Sequence, residues 1–133
     1  DVDTVVMGWN TYHQIMTELS PEAWVYEGLT SYIVTHRSVP PAPGRVFTAQ
    51  NPCQLVRELR RYPGKRIWVC GGAGLSRQLM EADLIDVYDI SLIPVLLGGG
   101  IRLFEPFGRR ISLRLERTMA GNGITELVYT RRA

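Results

Sequence analysis

Twice in this chain a short run of β-branched and apolar residues meets glycine and turns into an amphipathic helix, a pattern that few folds accept. Val5-Val6-Met7 stops at Gly8, after which Tyr12, Ile15, Met16 and Leu19 fall on one stripe of a helix. Ile67-Trp68-Val69-Cys70 stops at Gly71-Gly72, and Leu75 and Leu79 share a helical face beyond it. Strands alternating with helices in this way predict a sheet with parallel neighbours and helices on its faces. The double glycine adds chemistry. Without Cβ atoms it lets a ligand approach the backbone, and the free N–H groups and positive dipole end of the following helix favour an anion. A dinucleotide pyrophosphate suits such a turn. Gly71-Gly72-Ala73-Gly74 does not follow the Gly-x-Gly-x-x-Gly fingerprint, so an ordinary turn is the alternative reading.

Between these units Tyr32-Ile33-Val34-Thr35 predicts a second strand, closed by His36-Arg37-Ser38 and the stiff loop Pro40 to Gly44, with a brief strand at Val46-Phe47. Asn51-Pro52 is a helix start, since Asn can cap and Pro suits the first helical position. Leu55, Val56 and Leu59 then face inward and Arg57, Arg60 and Arg61 face water, until Pro63-Gly64 stops the helix. After Asp83 only strands follow: Val87 to Ile93, a glycine-rich turn at Gly98-Gly99-Gly100, then Ser112 to Arg117 and Thr125 to Thr130 joined through Gly121-Asn122-Gly123 as a hairpin. The expected architecture is an α/β sheet finished by antiparallel strands, both faces covered.

At 133 residues, with no linker, repeat or low-complexity tract, residues 1–133 read as a single domain. The net charge is only +2. Of the 15 Lys and Arg residues only Lys65 is a lysine, and the arginines are scattered rather than gathered in a stripe, so nucleic acid is not an expected partner. Cys53 and Cys70 stand apart without a Cys or His cluster, which argues against a disulfide framework or a metal site and for a reducing cytoplasm. The longest apolar runs are strand-sized, so no membrane association is expected. Asp1-Val2-Asp3 leads straight into a strand without an initiator Met, and a preceding segment is therefore expected.

Taken in order, Val5-Val6-Met7-Gly8-Trp9-Asn10-Thr11-Tyr12, Tyr32-Ile33-Val34-Thr35, Val69-Cys70-Gly71-Gly72-Ala73-Gly74-Leu75, Leu84-Ile85-Asp86 and Pro94-Val95-Leu96-Leu97-Gly98-Gly99-Gly100 with Leu103-Phe104 resemble the dihydrofolate reductase-like family. The similarity is to the branch that includes the reductase domain of bacterial riboflavin biosynthesis and uncharacterised bacterial reductases. It covers essentially the whole chain, and the family's N-terminal strand and helix are expected on the preceding segment.

The resemblance implies a three-layer α/β/α fold with a mixed sheet and a C-terminal antiparallel hairpin, an NADPH-dependent reductase, a small flat pterin- or pyrimidine-like substrate and a homodimer. By the same resemblance Gly8, Trp9 and Thr11 contact the cofactor phosphates, Gly71, Gly72, Ala73, Gly74 and Leu75 form the pyrophosphate turn, Thr35, His36 and Arg37 hold the adenosine 2′-phosphate, and Leu97 to Gly100 line the nicotinamide or substrate end. Hydroxyl and cationic donors at 35–37 suit an extra phosphate, whereas an NAD site usually offers a carboxylate. Trp9 departs from the family, which commonly has Arg there; Trp stacks on adenine but cannot pair with phosphate. Any general acid is expected on the preceding segment, leaving the catalytic residue unassigned.

Other residues read as structural: His13 on a solvated helix face, Asp86 and Asp89 at a strand start, Cys70 as a small core hydrophobe. Two alternatives stand beside the reductase. One is a catalytically idle NADP-binding module of the same fold; the other is an unrelated NAD protein, which would prefer NADH.

Overall fold

A computed structural model describes residues 1–106 and 108–132. β1 (Val2–Gly8) leads into α1 (Trp9–Gln14), which winds on as a π-helical turn over Ile15–Leu19. β2 (Thr30–Val34), β3 (Arg45–Thr48), α2 (Pro52–Leu59), β4 (Arg66–Gly71) and α3 (Ala73–Glu81) follow, and then three strands, β5 (Val87–Leu92), β6 (Leu113–Gly121) and β7 (Ile124–Arg131). The two strand-glycine-helix units are present as expected. So is the Asn51 cap, whose side-chain oxygen accepts hydrogen bonds from the backbone N–H groups of Cys53 and Gln54 at 2.9 and 3.3 Å.

β1 to β4 form a parallel sheet in the order β3-β2-β1-β4. Alternation along β1 divides the core in two. Val5 and Met7 pack with Tyr12, Ile15 and Ile33 on the α1 side, while Val6 packs with Leu55, Val56, Leu75 and Leu79 beneath α2 and α3. The three β1 residues are fully buried, so the chain commits its most apolar strand to the centre of three layers. This is the α/β/α arrangement predicted.

β5, β6 and β7 form an antiparallel sheet in the order β5-β7-β6, hydrogen-bonded separately from the parallel one. The hairpin is closed by Asn122 and Gly123, both with positive φ (53° and 80°), the two-residue turn whose twist matches the flanking strands. Covered faces hold for the parallel sheet but not here. α1, α2 and α3 all pack against the parallel strands, and Leu92, Leu115 and Met119 remain exposed on the antiparallel ones. The stretch between β5 and β6 is more exposed still, with Leu96 and Ile101 almost free of contacts at 101% and 95%.

Polar contacts tie the antiparallel part to α3 and the parallel part. The Arg109 guanidinium donates to the carbonyls of Met80 and Glu81 and to the Asp83 carboxylate at 3.0 to 3.1 Å, adding to the backbone bond that Met80 already accepts from Asp83 at the end of α3. Arg131 donates to the Asp83 carbonyl and to Asp86, and Arg60 of the α2 terminus meets the same Asp86 carboxylate at 3.6 Å.

Candidate functional site

From β1 the chain steps outward to β2 and β3, then crosses back to place β4 on the other side of β1. Helices cover opposite faces on the two journeys, so their connections part above the C-terminal ends of β1 and β4, the place where open α/β sheets take ligands. Glycines meet there. Met7 lies beside Gly71 in the register, and a Cβ added to Gly8 would stand 3.9 Å from the Gly72 amide nitrogen. Gly71 has φ +121°, a conformation that L side chains rarely adopt, and its peptide bond to Gly72 is cis. Thr11, on the first turn of α1, places its hydroxyl 3.6 and 3.7 Å from where Cβ atoms on Gly71 and Gly72 would lie.

Gly72 is the N-cap of α3 in an extended conformation, with no side chain capping the helix. Gly72 and Gly74 are exposed and Ala73 is half-buried, so the backbone of this first turn reaches solvent. Leu75 differs. Its side chain is buried against Val6 and Leu79, and only its backbone can serve a ligand. One neighbour had no signal in the sequence: a Glu105 carboxylate oxygen lies 3.9 Å from where a Cβ on Gly74 would be, and the carboxylate approaches Arg77 at 4.0 Å. Glu105 comes from a loop distant in sequence, and no local motif points to it.

One residue past Val34, which lies beside Gly8 in the register, the Thr35 side chain is buried and its hydroxyl oxygen accepts the backbone N–H of Arg37 at 3.1 Å. That bond shapes the turn and lifts Arg37 to the surface. The Arg37 guanidinium carbon lies over the Trp9 ring, 5.0 Å from its centroid, within cation–π range. His36 is exposed beside it. Trp9 itself is half-buried, with its ring 5.6 Å from that of Tyr12 and 5.8 Å from that of His13.

The other residues singled out lie as follows. His13 is exposed, and Asp86 pairs with Arg60 and Arg131 in the junction between the sheets. Asp89 stands beside Glu126 on the antiparallel sheet, and their hydrogen bond pushes the Glu126 carboxyl above its ordinary range. Cys70 packs against the α1-side core with its Sγ 3.2 Å from the Tyr26 hydroxyl, whose pKa is pushed up first by burial and then by Cys70. Leu97 to Gly100 are exposed, and nothing lies within 4 Å of a Cβ on Gly98 or Gly99. Among the described residues no group of three or more Cys, His, Asp or Glu could hold a metal ion, and no helix is long and apolar enough to cross a membrane.

A model of the RibD C-terminal domain family matches residues 1–125. The uncharacterised protein YwjB of Bacillus subtilis (strain 168) is 34% identical over 139 aligned positions, covering 98% of this chain and 74% of YwjB. The uncharacterised protein YyaP of the same strain is 35% identical over 85 positions, covering 63% of this chain and 45% of YyaP. Among solved structures, a "Putative riboflavin biosynthesis protein" from Shewanella sp. PV-4 superposes with a TM-score of 0.80 over 99% of this chain and 75% of that one. At 23% identity, that superposition shows a shared fold.

Proposed function

The chain belongs to the RibD C-terminal domain family, and on that footing we propose that it is an NADPH-dependent reductase that transfers a hydride to a C=N or C=O bond of a small, flat, pterin- or pyrimidine-like heterocycle. The observation that carries this reading is the set of bare glycines at the ends of β1 and β4, followed by the uncapped first turn of α3, together with Arg37 at the end of the neighbouring β2. A dinucleotide needs that spread of partners, because its pyrophosphate and its ribose phosphate are separate anions.

The residues present fit the cofactor. A Cβ at Gly8 would stand 3.9 Å from the Gly72 amide nitrogen, so Gly8 would let a pyrophosphate approach both backbones without a side chain between them. Gly72, Ala73, Gly74 and the Leu75 backbone would hold that group through N–H donors, with Gly8 and Thr11 beside them. Thr35, His36 and Arg37 would meet the 2′-phosphate, with Trp9 beside them. NADPH, when bound, supplies the hydride. The protein's part is to orient and to exclude water, and such positioning accounts for much of the rate in reactions of this kind.

The domain is proposed to act in the cytoplasm, where its two free cysteines would stay reduced. We propose a second copy of the chain as its partner. The accessible surface of 9311 Å² exceeds the roughly 7,000 Å² that a compact monomer of 15.0 kDa exposes. Much of the exposed apolar part lies between Leu92 and Glu105, where Arg102 and Glu105 are the only charges and have opposite signs, so two copies of the patch would not repel.

Tryptophan fluorescence and melting temperature, followed against NADPH and then NADPH oxidation with a panel of pterins, pyrimidinones and quinones, test the proposal. Saturable binding with turnover of one class is the expected result. Binding without oxidation of any acceptor would identify an idle NADP-binding module, and no response to NADPH would remove both readings.

A further inference from the structure

Resting on that reading of the cofactor, we propose that Trp9 is a specificity-determining positioning residue: its ring holds the Arg37 guanidinium ready for the 2′-phosphate, so that Trp9 discriminates NADPH from NADH without touching the phosphate itself. Arg37 is held at two places. Its backbone N–H is bonded to the Thr35 hydroxyl oxygen at 3.1 Å, and its head lies 5.0 Å from the Trp9 centroid. The ring is fixed in turn by its neighbours, with the Tyr12 ring at 5.6 Å and the His13 ring at 5.8 Å.

A contact through the ring face uses none of the lone-pair acceptors that a guanidinium seeks, and its N–H fork stays available for an anion. Among the described residues, no carboxylate lies within ion-pair distance of Arg37. Arg45 shows the contrast. Its head lies over Trp24 at 5.1 Å, but it donates to the Tyr12 hydroxyl, the Pro43 carbonyl and the Met16 sulfur, and so is committed to the fold. Arg37 has the same aromatic support with its donors unspent. A flexible arginine would lose rotamer freedom on meeting a phosphate; one already resting on an indole has lost part of it beforehand.

The test is a double-mutant cycle read by calorimetric binding of NADPH and NADH to the whole chain. Wild type, Trp9→Leu, Arg37→Ala and the pair are compared, with Trp9→Phe as a variant that keeps a ring and closely preserves the fold. Trp9→Leu is expected to weaken NADPH by about three- to thirtyfold and leave NADH nearly unchanged. Trp9→Phe should keep part of the discrimination, and neither Trp9 substitution should add to the loss already caused by Arg37→Ala. Equal weakening of both cofactors by Trp9→Leu would overturn the proposal in favour of simple adenine stacking, as would losses from Trp9→Leu and Arg37→Ala that multiply. A wild-type protein that binds neither cofactor would instead sink the reductase reading beneath it, a distinguishable failure.

Discussion

A Cβ on Gly8 would lie 3.9 Å from the amide nitrogen of Gly72, in van der Waals contact, so the ends of two neighbouring parallel strands face one another about one methyl group apart. The two glycines of the β4 turn are not equivalent. Gly71 holds φ +121°, whereas Gly72 has φ −81°, which any residue can adopt. Gly71→Ala is therefore expected to cost about 1–3 kcal/mol of stability from backbone strain, read as a fall of several degrees in Tm. Gly72→Ala should leave Tm nearly unchanged and weaken NADPH binding, because its methyl group would project where the ligand meets the amides. Equal Tm losses in the two variants would count against this division of roles.

Removing the Arg37 head should act on the cofactor and not on the fold, since the side chain is exposed and without an ion-pair partner among the described residues. One charge-assisted hydrogen bond contributes about 1.5–3 kcal/mol, so Arg37→Ala is expected to weaken NADPH by roughly ten- to hundredfold while NADH changes little. Calorimetric titration of both cofactors decides it.

Asn51 accepts two backbone N–H groups at the start of α2. Asn51→Ala should lower unfolding stability by about 0.5–2 kcal/mol, and Asn51→Asp should recover most of it. Urea denaturation of the two variants measures both effects, and an alanine variant as stable as wild type would show that packing alone holds this helix.

The Asp3 carboxyl is held below its ordinary range, first by the backbone N–H of Lys65, which donates to it at 2.9 Å, and then by the Thr4 hydroxyl. A depressed folded-state pKa contributes stability that is present above the unfolded value of about 3.9 and is lost as pH falls through the folded one. Wild type should therefore lose more stability than Asp3→Asn between about pH 5 and the acid limit of folding. Parallel pH profiles would remove this bond from the account of acid unfolding.

Association through the exposed stretch between β5 and β6 has a direct readout. Sedimentation equilibrium should give a dimer for wild type and a monomer for Leu96→Glu with Ile101→Glu, with the circular-dichroism spectrum retained because neither side chain contributes to the core. A wild-type protein that stays monomeric at tens of micromolar would withdraw the second copy as partner.

Most of the parallel half was legible because its signals are local. The 3.6-residue stripe holds at Tyr12, Ile15 and Met16 but fails at Leu19, which is 68% exposed because the helix has passed into a π-helical turn with a longer repeat. This stripe, the Asn51-Pro52 helix start and the Gly71-Gly72 stop each depend on near neighbours in sequence. The covered faces expected for the antiparallel half fail because cover is a tertiary property, and nothing in Leu113 to Arg131 states whether a helix will lie over it. The same limit applies to the site. Gly8 and Gly71 are visible as strand ends, but the stacking of Arg37 on Trp9 depends on β1 and β2 lying side by side, and the approach of Glu105 to Gly74 on a loop returning from far along the chain.

β1 has a hydrogen-bonded neighbour on each side and a helical layer on each face, so its amides cannot meet solvent unless both flanking strands or both layers give way. Val5, Val6 and Met7 should thus be the slowest in the molecule to exchange their amide hydrogens for deuterium, with protection close to that of global unfolding, while the hairpin tip at Asn122 exchanges in local fluctuations. The cofactor proposed for this site would then rest, at Gly8, on the least yielding part of the chain, which would hold its binding groups in a fixed geometry.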